Sequence, residues 1–137
     1  MNLLEEGTEL DLQFEKRNGL LPVVVQEQQG GQVLMIGYAN QEALQRSMKT
    51  RYATFWSTSR QELWTKGETS GDRLRIASIW VDCDQDALLY QVQLEGNGVC
   101  HAKTHEGITR KACFYRRINI DSQSLVFDDL LDTKQND

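Results

Sequence analysis

The sequence is short of the residues that break or staple a chain. Among 137 residues there is one proline, Pro22, with three cysteines and two histidines. With so little proline and no low-complexity tract, the chain reads as one continuous unit rather than domains on linkers. An odd cysteine count excludes a complete disulfide framework, so Cys83, Cys100 and Cys113 serve either as small buried apolar groups or as metal ligands. Positive charge is not in excess either, since 15 Lys and Arg face 20 Asp and Glu for a formal net charge of −5. That balance gives no long-range attraction for nucleic acid or an anionic membrane surface. No apolar run approaches the roughly 18 to 20 residues of a membrane span. The start of the chain carries Glu5, Glu6 and Glu9 where a secretory signal is basic and then apolar. The expectation is a cytoplasmic protein with no nucleic-acid or membrane partner.

What is present suits one modest core, with 39% hydrophobic and 26% charged residues. Residues 1–11 read as a polar leader, 12–127 as a single domain and 128–137 as an acidic tail. Val23, Val24, Val25 and Val33 to Ile36 flank Gly30 and Gly31, which supply the positive φ of a tight turn, so a hairpin is expected. Asn40 is placed to cap a helix over Gln41 to Thr50 with Ala43, Leu44 and Met48 on one face. Further strands are expected at Thr54 to Ser57, Glu62 to Lys66, Arg73 to Val81, Leu88 to Leu94 and Phe114 to Ile120, all rich in aromatic or branched residues. Leu74 to Val81 is apolar on nearly both faces, which predicts a central strand running into Asp82. The fold class is α+β, mostly β: a compact curved, mixed or antiparallel, pseudo-barrel-like sheet with one or two short helices.

Asp82, Asp84 and Asp86 recur at every second position, which in an extended chain places all three carboxylates on one side. Like charges so close raise one another's pKa unless a cation intervenes, and hard oxygen ligands suit Mg²⁺, Mn²⁺ or Ca²⁺. The alternative is a solvated acidic turn. A calcium loop of the EF-hand type is excluded, because Ala87 and Gln93 stand where glycine and glutamate are needed. The same alternation points Cys83 away from its flanking carboxylates, and with Cys100 and Cys113 it would form a three-sulfur zinc site with the open fourth position of a catalytic zinc.

Several segments taken together resemble one family. Phe55-Trp56-Ser57, the run Leu63 to Gly71 (LWTKGETSG), Val81 to Leu89 (VDCDQDALL), Cys100-His101 and Cys113-Phe114-Tyr115-Arg116 are similar to phosphoribosyl-AMP cyclohydrolases of histidine biosynthesis. So are Gly19 to Val23, Val33 to Met35 and Asn40 to Leu44, and the resemblance covers about residues 12–118. It implies that Asp82, Asp84 and Asp86 bind Mg²⁺ and that Cys83, Cys100 and Cys113 bind Zn²⁺, one of each ion per subunit. It implies an intertwined homodimer in which Cys83 comes from the neighbouring subunit. The implied reaction is hydrolytic opening of the adenine ring at the N1–C6 bond. In one respect the chain departs from the family's usual pattern: the link from Ala102 to Ala112, between Cys-His and Cys-Phe-Tyr-Arg, is longer. Its Lys103, His105, Arg110 and Lys111 point either toward a phosphate or into water.

Within that reading His101 is the expected general acid or base, since imidazole titrates near neutrality. Trp64, Lys66, Glu68, Ser70 and Gly71 are the expected contacts for a nucleotide with two phosphates, with Arg60 and Arg116 as further phosphate partners. Trp56 is assigned to core packing. Zinc deaminases are the nearest enzymatic rival, but their H-x-E and P-C-x-x-C pattern is absent. A structural zinc module, the other rival, needs four ligands and usually a basic face. Because the chain stops at Asp137, it is expected to be the single-activity form rather than one fused to a phosphoribosyl-ATP pyrophosphohydrolase domain.

Overall fold

The computed structural model describes residues 2–127, so the expected acidic tail at 128–137 lies outside the described residues. A short helix α1 (Leu3–Glu6) and a 3-10 turn (Glu15–Arg17) precede β1 (Leu21–Glu27), β2 (Val33–Ala39) and α2 (Gln41–Thr50). Then come β3 (Thr54–Ser57), β4 (Glu62–Thr65), β5 (Leu74–Val81), β6 (Leu88–Leu94), β7 (Arg116–Asn119) and β8 (Ser124–Phe127). The protein is mostly β, as expected, with two α-helices. Among the described residues no helix is long and apolar enough to cross a membrane.

The main sheet has the order β2-β1-β6-β5 and is mixed, because β1 and β6 run parallel while the other neighbours are antiparallel. It is open, with β2 and β5 at its edges. Leu21, Val23 and Val25 alternate into the core from β1, and Tyr90 and Val92 meet them from β6. Pro22 sits before β6 pairing begins at Val23, so the missing N–H breaks no ladder there. Gly30 and Gly31, with φ of +87° and +79°, make the turn that joins β1 to β2.

Helix α2 begins as its sequence dictates: the Asn40 side-chain oxygen accepts the N–H of Ala43 at 2.8 Å. Its buried face is Ala43, Leu44 and Ser47, whereas Met48 is exposed. Met48 is displaced from the expected face because Ser47 Oγ both accepts from Thr54 N–H at 2.8 Å and donates to the Thr54 carbonyl at 3.1 Å, tying α2 to β3 through a satisfied polar pair.

The expectation of a central strand at Leu74 to Val81 is corrected, since β5 is an edge. Its first half is covered on the outer side by residues 51–53, with Ala53 N–H donating to Leu74 O at 3.0 Å and Ile76 N–H to Arg51 O at 2.8 Å. The second half has no such cover, and Trp80 and Val81 stand 56% and 42% exposed. Apolar character on both faces therefore does not come from burial among the described residues of one chain. The strand expected over Phe114 to Ile120 is shorter and is one arm of the β7–β8 hairpin, whose second arm is a strand beyond those expected. Its turn is set by Asn119 Oδ1, which accepts the N–H groups of Asp121 and Ser122 at 3.1 Å each.

Candidate active site

Strand β5 delivers its chain directly into residues 82–86, but these form a turn and not an extended segment. Asp82 Oδ1 accepts the N–H groups of Asp86 at 2.9 Å and Ala87 at 3.1 Å, and Gln85 takes the left-handed conformation with φ +56°. The carboxylates of Asp82, Asp84 and Asp86 do converge, with one oxygen of each within 4.8 Å of the others. The cause is the folded turn rather than strand alternation. Such a group of hard oxygen donors fits a divalent cation such as Mg²⁺.

The environments of the outer two carboxylates differ. Hydrogen bonding from Lys16 holds the Asp86 carboxyl well below the usual range; burial opposes this, while bonds with Asp84 and Asp82 and the charge of Arg17 add to it. Asp82 is exposed as a residue, yet loss of water around its carboxyl pushes its pKa the other way, partly offset by the two N–H bonds it accepts. No motif in the sequence assigns a role to Lys16 or Arg17. Their only sequence signal is a basic pair in a chain with a dense carboxylate cluster elsewhere.

Gln85 fastens this turn to the leader. Its Oε1 accepts Asp11 N–H at 2.8 Å, its Nε2 donates to the carbonyls of Leu4 at 3.1 Å and Glu9 at 3.2 Å, and its own carbonyl accepts Gln13 N–H at 2.9 Å. Cys83 lies outside the carboxylate group and is exposed, lining a shallow cleft with Leu4, Thr8 and Leu10 of the leader.

Cys100 and Cys113 come together from the two ends of the long loop. Val99 and Cys100 N–H donate to the carbonyls of Lys111 and Arg110, and Cys113 N–H donates to Leu34 O at 2.7 Å, which anchors the second thiol to β2. Gly98 makes this approach possible, because a Cβ there would sit 2.3 Å from the Arg110 carbonyl oxygen. Cys113 is exposed as a residue, yet burial of its sulfur and then the adjoining Cys100 thiol push its pKa up to about 11. Two adjoining soft donors, with the Cys113 thiol hindered from ionising, fit a thiophilic cation such as Zn²⁺, whose charge reverses that cost. Among the described residues of one chain, no third His, Cys, Asp or Glu completes a ligand group with this pair.

His101, next to Cys100, is exposed. The loop beyond it folds on itself through the Thr104 N–H to Ile108 carbonyl bond at 2.8 Å. Arg110 is buried, donating to the Lys103 carbonyl and stacking 4.1 Å from the Tyr115 ring, and Lys111 pairs with Glu27 at 2.6 Å. Those two basic residues therefore support the loop and do not reach outward from it.

Five of the expected substrate contacts, Arg60, Trp64, Lys66, Glu68 and Ser70, line one open cleft of about 420 Å³. Gly71 follows it, with φ +86° and its N–H on the Gly67 carbonyl at 2.8 Å. Trp64 is anchored on Phe55 at 5.3 Å between ring centroids, and Lys66 Nζ lies 5.6 Å from the Trp64 ring. The Lys66 charge also acts on Cys113 and favours its thiolate, against the effect of burial. Arg116 is elsewhere, on β7 beside the Tyr115 and Phe127 rings.

An open mixed sheet carrying a hard-donor turn, a soft-donor pair and an open cleft of nucleotide size defines a small α+β enzyme. The sequence model of phosphoribosyl-AMP cyclohydrolase matches residues 35–115. A protein of that name from Solibacter usitatus is 48% identical over 110 residues, covering 80% of this chain and 82% of that one. Its namesakes in Archaeoglobus fulgidus, at 46% over 82% of this chain and 96% of that protein, and Desulfatibacillum aliphaticivorans, at 39% over 92% and 96%, extend the match. The chain belongs to the phosphoribosyl-AMP cyclohydrolase family.

Proposed function

We propose that this protein opens the adenine ring of 1-(5-phosphoribosyl)-AMP by hydrolysis of the N1–C6 bond, giving the formimino-aminoimidazole-carboxamide ribotide of histidine biosynthesis, in the cytoplasm. The observation that carries the reading is family membership over residues 35–115, a span that holds the whole Trp64 cleft and both thiols of the pair. The cleft is sized for a nucleotide, with Trp64 as a stacking face for a base and Lys66 beside it for charge. Ser70 and Gly71 complete the contacts for ribose or phosphate, Glu68 orients the ring, and Arg60 takes an outer phosphate, whereas Arg116, packed on Tyr115 and Phe127, has no part in this cleft.

Asp82, Asp84 and Asp86 hold Mg²⁺ in this reading, and Cys100 and Cys113 hold Zn²⁺ together with Cys83 of the partner subunit. Zinc bound there supplies a Lewis acid that makes water nucleophilic near neutral pH. His101 accepts the proton of the attacking water and returns it to ring N1 as the C6–N1 bond breaks. An intertwined, pseudo-barrel-like homodimer is supported by the exposed, apolar end of β5 at Trp80 and Val81, immediately before Cys83. A second copy is the occupant that also provides the missing third sulfur.

The test is turnover of phosphoribosyl-AMP, followed by absorbance, with zinc- and magnesium-loaded protein and with chelator-treated protein. Ring opening that needs both ions is expected. No turnover by the loaded protein refutes the function.

A further inference from the structure

Two cations of the chain itself already meet the carboxylate cluster. Lys16 Nζ lies 2.8 Å from Asp86 Oδ2 and 3.1 Å from Asp84 Oδ2. Arg17 places one terminal nitrogen 2.9 Å from the same Asp86 oxygen and donates from Nε to the Asp86 carbonyl at 3.1 Å. Both leave from the 3-10 turn, which Asn18 closes in the left-handed conformation at φ +57°. The two do not play the same part. Arg17 is tied to backbone as well as to side chain, whereas Lys16 is fixed only by carboxylate oxygens and is half-exposed, free to swing into water. Its ammonium uses the lone pairs that a hard cation would need on Asp84 and Asp86. A monovalent and a divalent charge about 4 Å apart repel even in the dielectric of water.

We propose that Lys16 is a resident counter-cation of the acidic turn. It holds Asp84 and Asp86 together while no divalent ion is bound, and a hard cation enters by displacing it. The inference rests on the hard-cation reading of this turn given above. The affinity of the turn for its ion is then set against a lysine from a segment distant in sequence, and ion binding releases that lysine to solvent.

The experiment titrates the full-length, zinc-saturated protein with Mn²⁺, reading free Mn²⁺ by electron paramagnetic resonance. Loss of binding in Asp84→Asn assigns the ion to this turn. Lys16→Met is expected to bind Mn²⁺ about two- to fivefold more tightly than the unaltered chain, the scale of an exposed ion pair no longer competing. Lys16→Gln should show the same gain, and Lys49→Met, an exposed lysine in the last turn of α2, none. In parallel, acetylation of Lys16 read by mass spectrometry should speed up several-fold on adding Mn²⁺. Equal or weaker Mn²⁺ binding by Lys16→Met, or Lys16 better protected with Mn²⁺ present, overturns the inference while leaving the metal site standing. A protein that binds no Mn²⁺ at the turn overturns the metal reading and this inference with it.

Discussion

Replacing Gln85 by leucine should detach the leader from the acidic turn, and the structure sets the size of the effect. The side chain is 5% exposed and makes three hydrogen bonds, one accepted from Asp11 N–H and two donated to the carbonyls of Leu4 and Glu9. Leucine has similar volume and none of this capacity. Each bond is worth about 1 kcal/mol net, and the freed leader groups lie near the surface where water replaces the lost partner, so the loss should be about 2 kcal/mol rather than the sum of buried penalties. Gln85 also has φ +56°, and glycine there would relieve about 1 kcal/mol of left-handed strain while losing the same three bonds. Urea denaturation should therefore rank the chains unaltered, then Gln85→Gly, then Gln85→Leu. Hydrogen exchange should show residues 4–11 losing protection in both variants. If Gln85→Leu changes stability by under about 0.5 kcal/mol, the level of an ordinary surface substitution, and leader protection is unchanged, the clamp is refuted.

Cys83→Ala should lower zinc content, and unchanged stoichiometry removes Cys83 from the ligand set. Mixing Cys83→Ala with Cys113→Ala subunits should restore about a quarter of the unaltered activity, since half of reassorted dimers are hybrids and each holds one intact site of two; no recovery argues against sharing. Trp80→Glu puts a charge on the exposed apolar end of β5 and should weaken the dimer at least about thirtyfold, or roughly 2 kcal/mol, in sedimentation equilibrium. His101→Ala should cut kcat by about 10² to 10⁴ with little change in KM, and an equal loss of zinc would instead assign it a structural part. In the metal-free protein the lowered Asp86 pKa contributes stability that is whole above the ordinary carboxylate value of about 3.9 and is lost as pH falls below it. Asp82, raised by loss of water around its carboxyl, has the opposite sign, so acid unfolding monitored below pH ~4 should be less steep in Lys16→Met, where the Asp86 contribution is reduced.

Elements governed by local chemistry were legible in the sequence. Asn40 starts α2 as a capping residue must, Gly30 and Gly31 turn the first hairpin, and β3, β4 and β6 fall on the expected aromatic and branched runs. The features missed depend on partners remote in sequence or on residues without a compositional signature. Gln85 is not a residue type that announces a left-handed turn, so the tract 82–86 read as extended although it folds. The leader is held largely through its backbone groups, which any sequence would offer, and its polarity therefore said nothing about attachment. Ser47 displaced Met48 from the buried face of α2 through a bond to Thr54 that periodicity does not encode.

The misplacement of β5 is of a different kind, and it bears on function. A strand apolar on both faces is expected to be covered on both, and that physical inference holds whether the cover comes from the same chain or another. Among the described residues of one chain the second half of β5 lacks cover, and it is this half that leads into Cys83. The same chain brings two thiols together, with the Lys66 charge acting on one of them. Among the described residues one surface thus lacks a neighbour, and in the proposed three-sulfur site the third thiol, Cys83, lies at the end of that surface. The three carboxylates, by contrast, converge within the chain, with Lys16 paired to two of them. Under the proposed ligand sets, assembly should therefore control the soft-metal site and leave the hard-ion site intact, so zinc should be lost and Mn²⁺ binding kept when the subunits are dissociated.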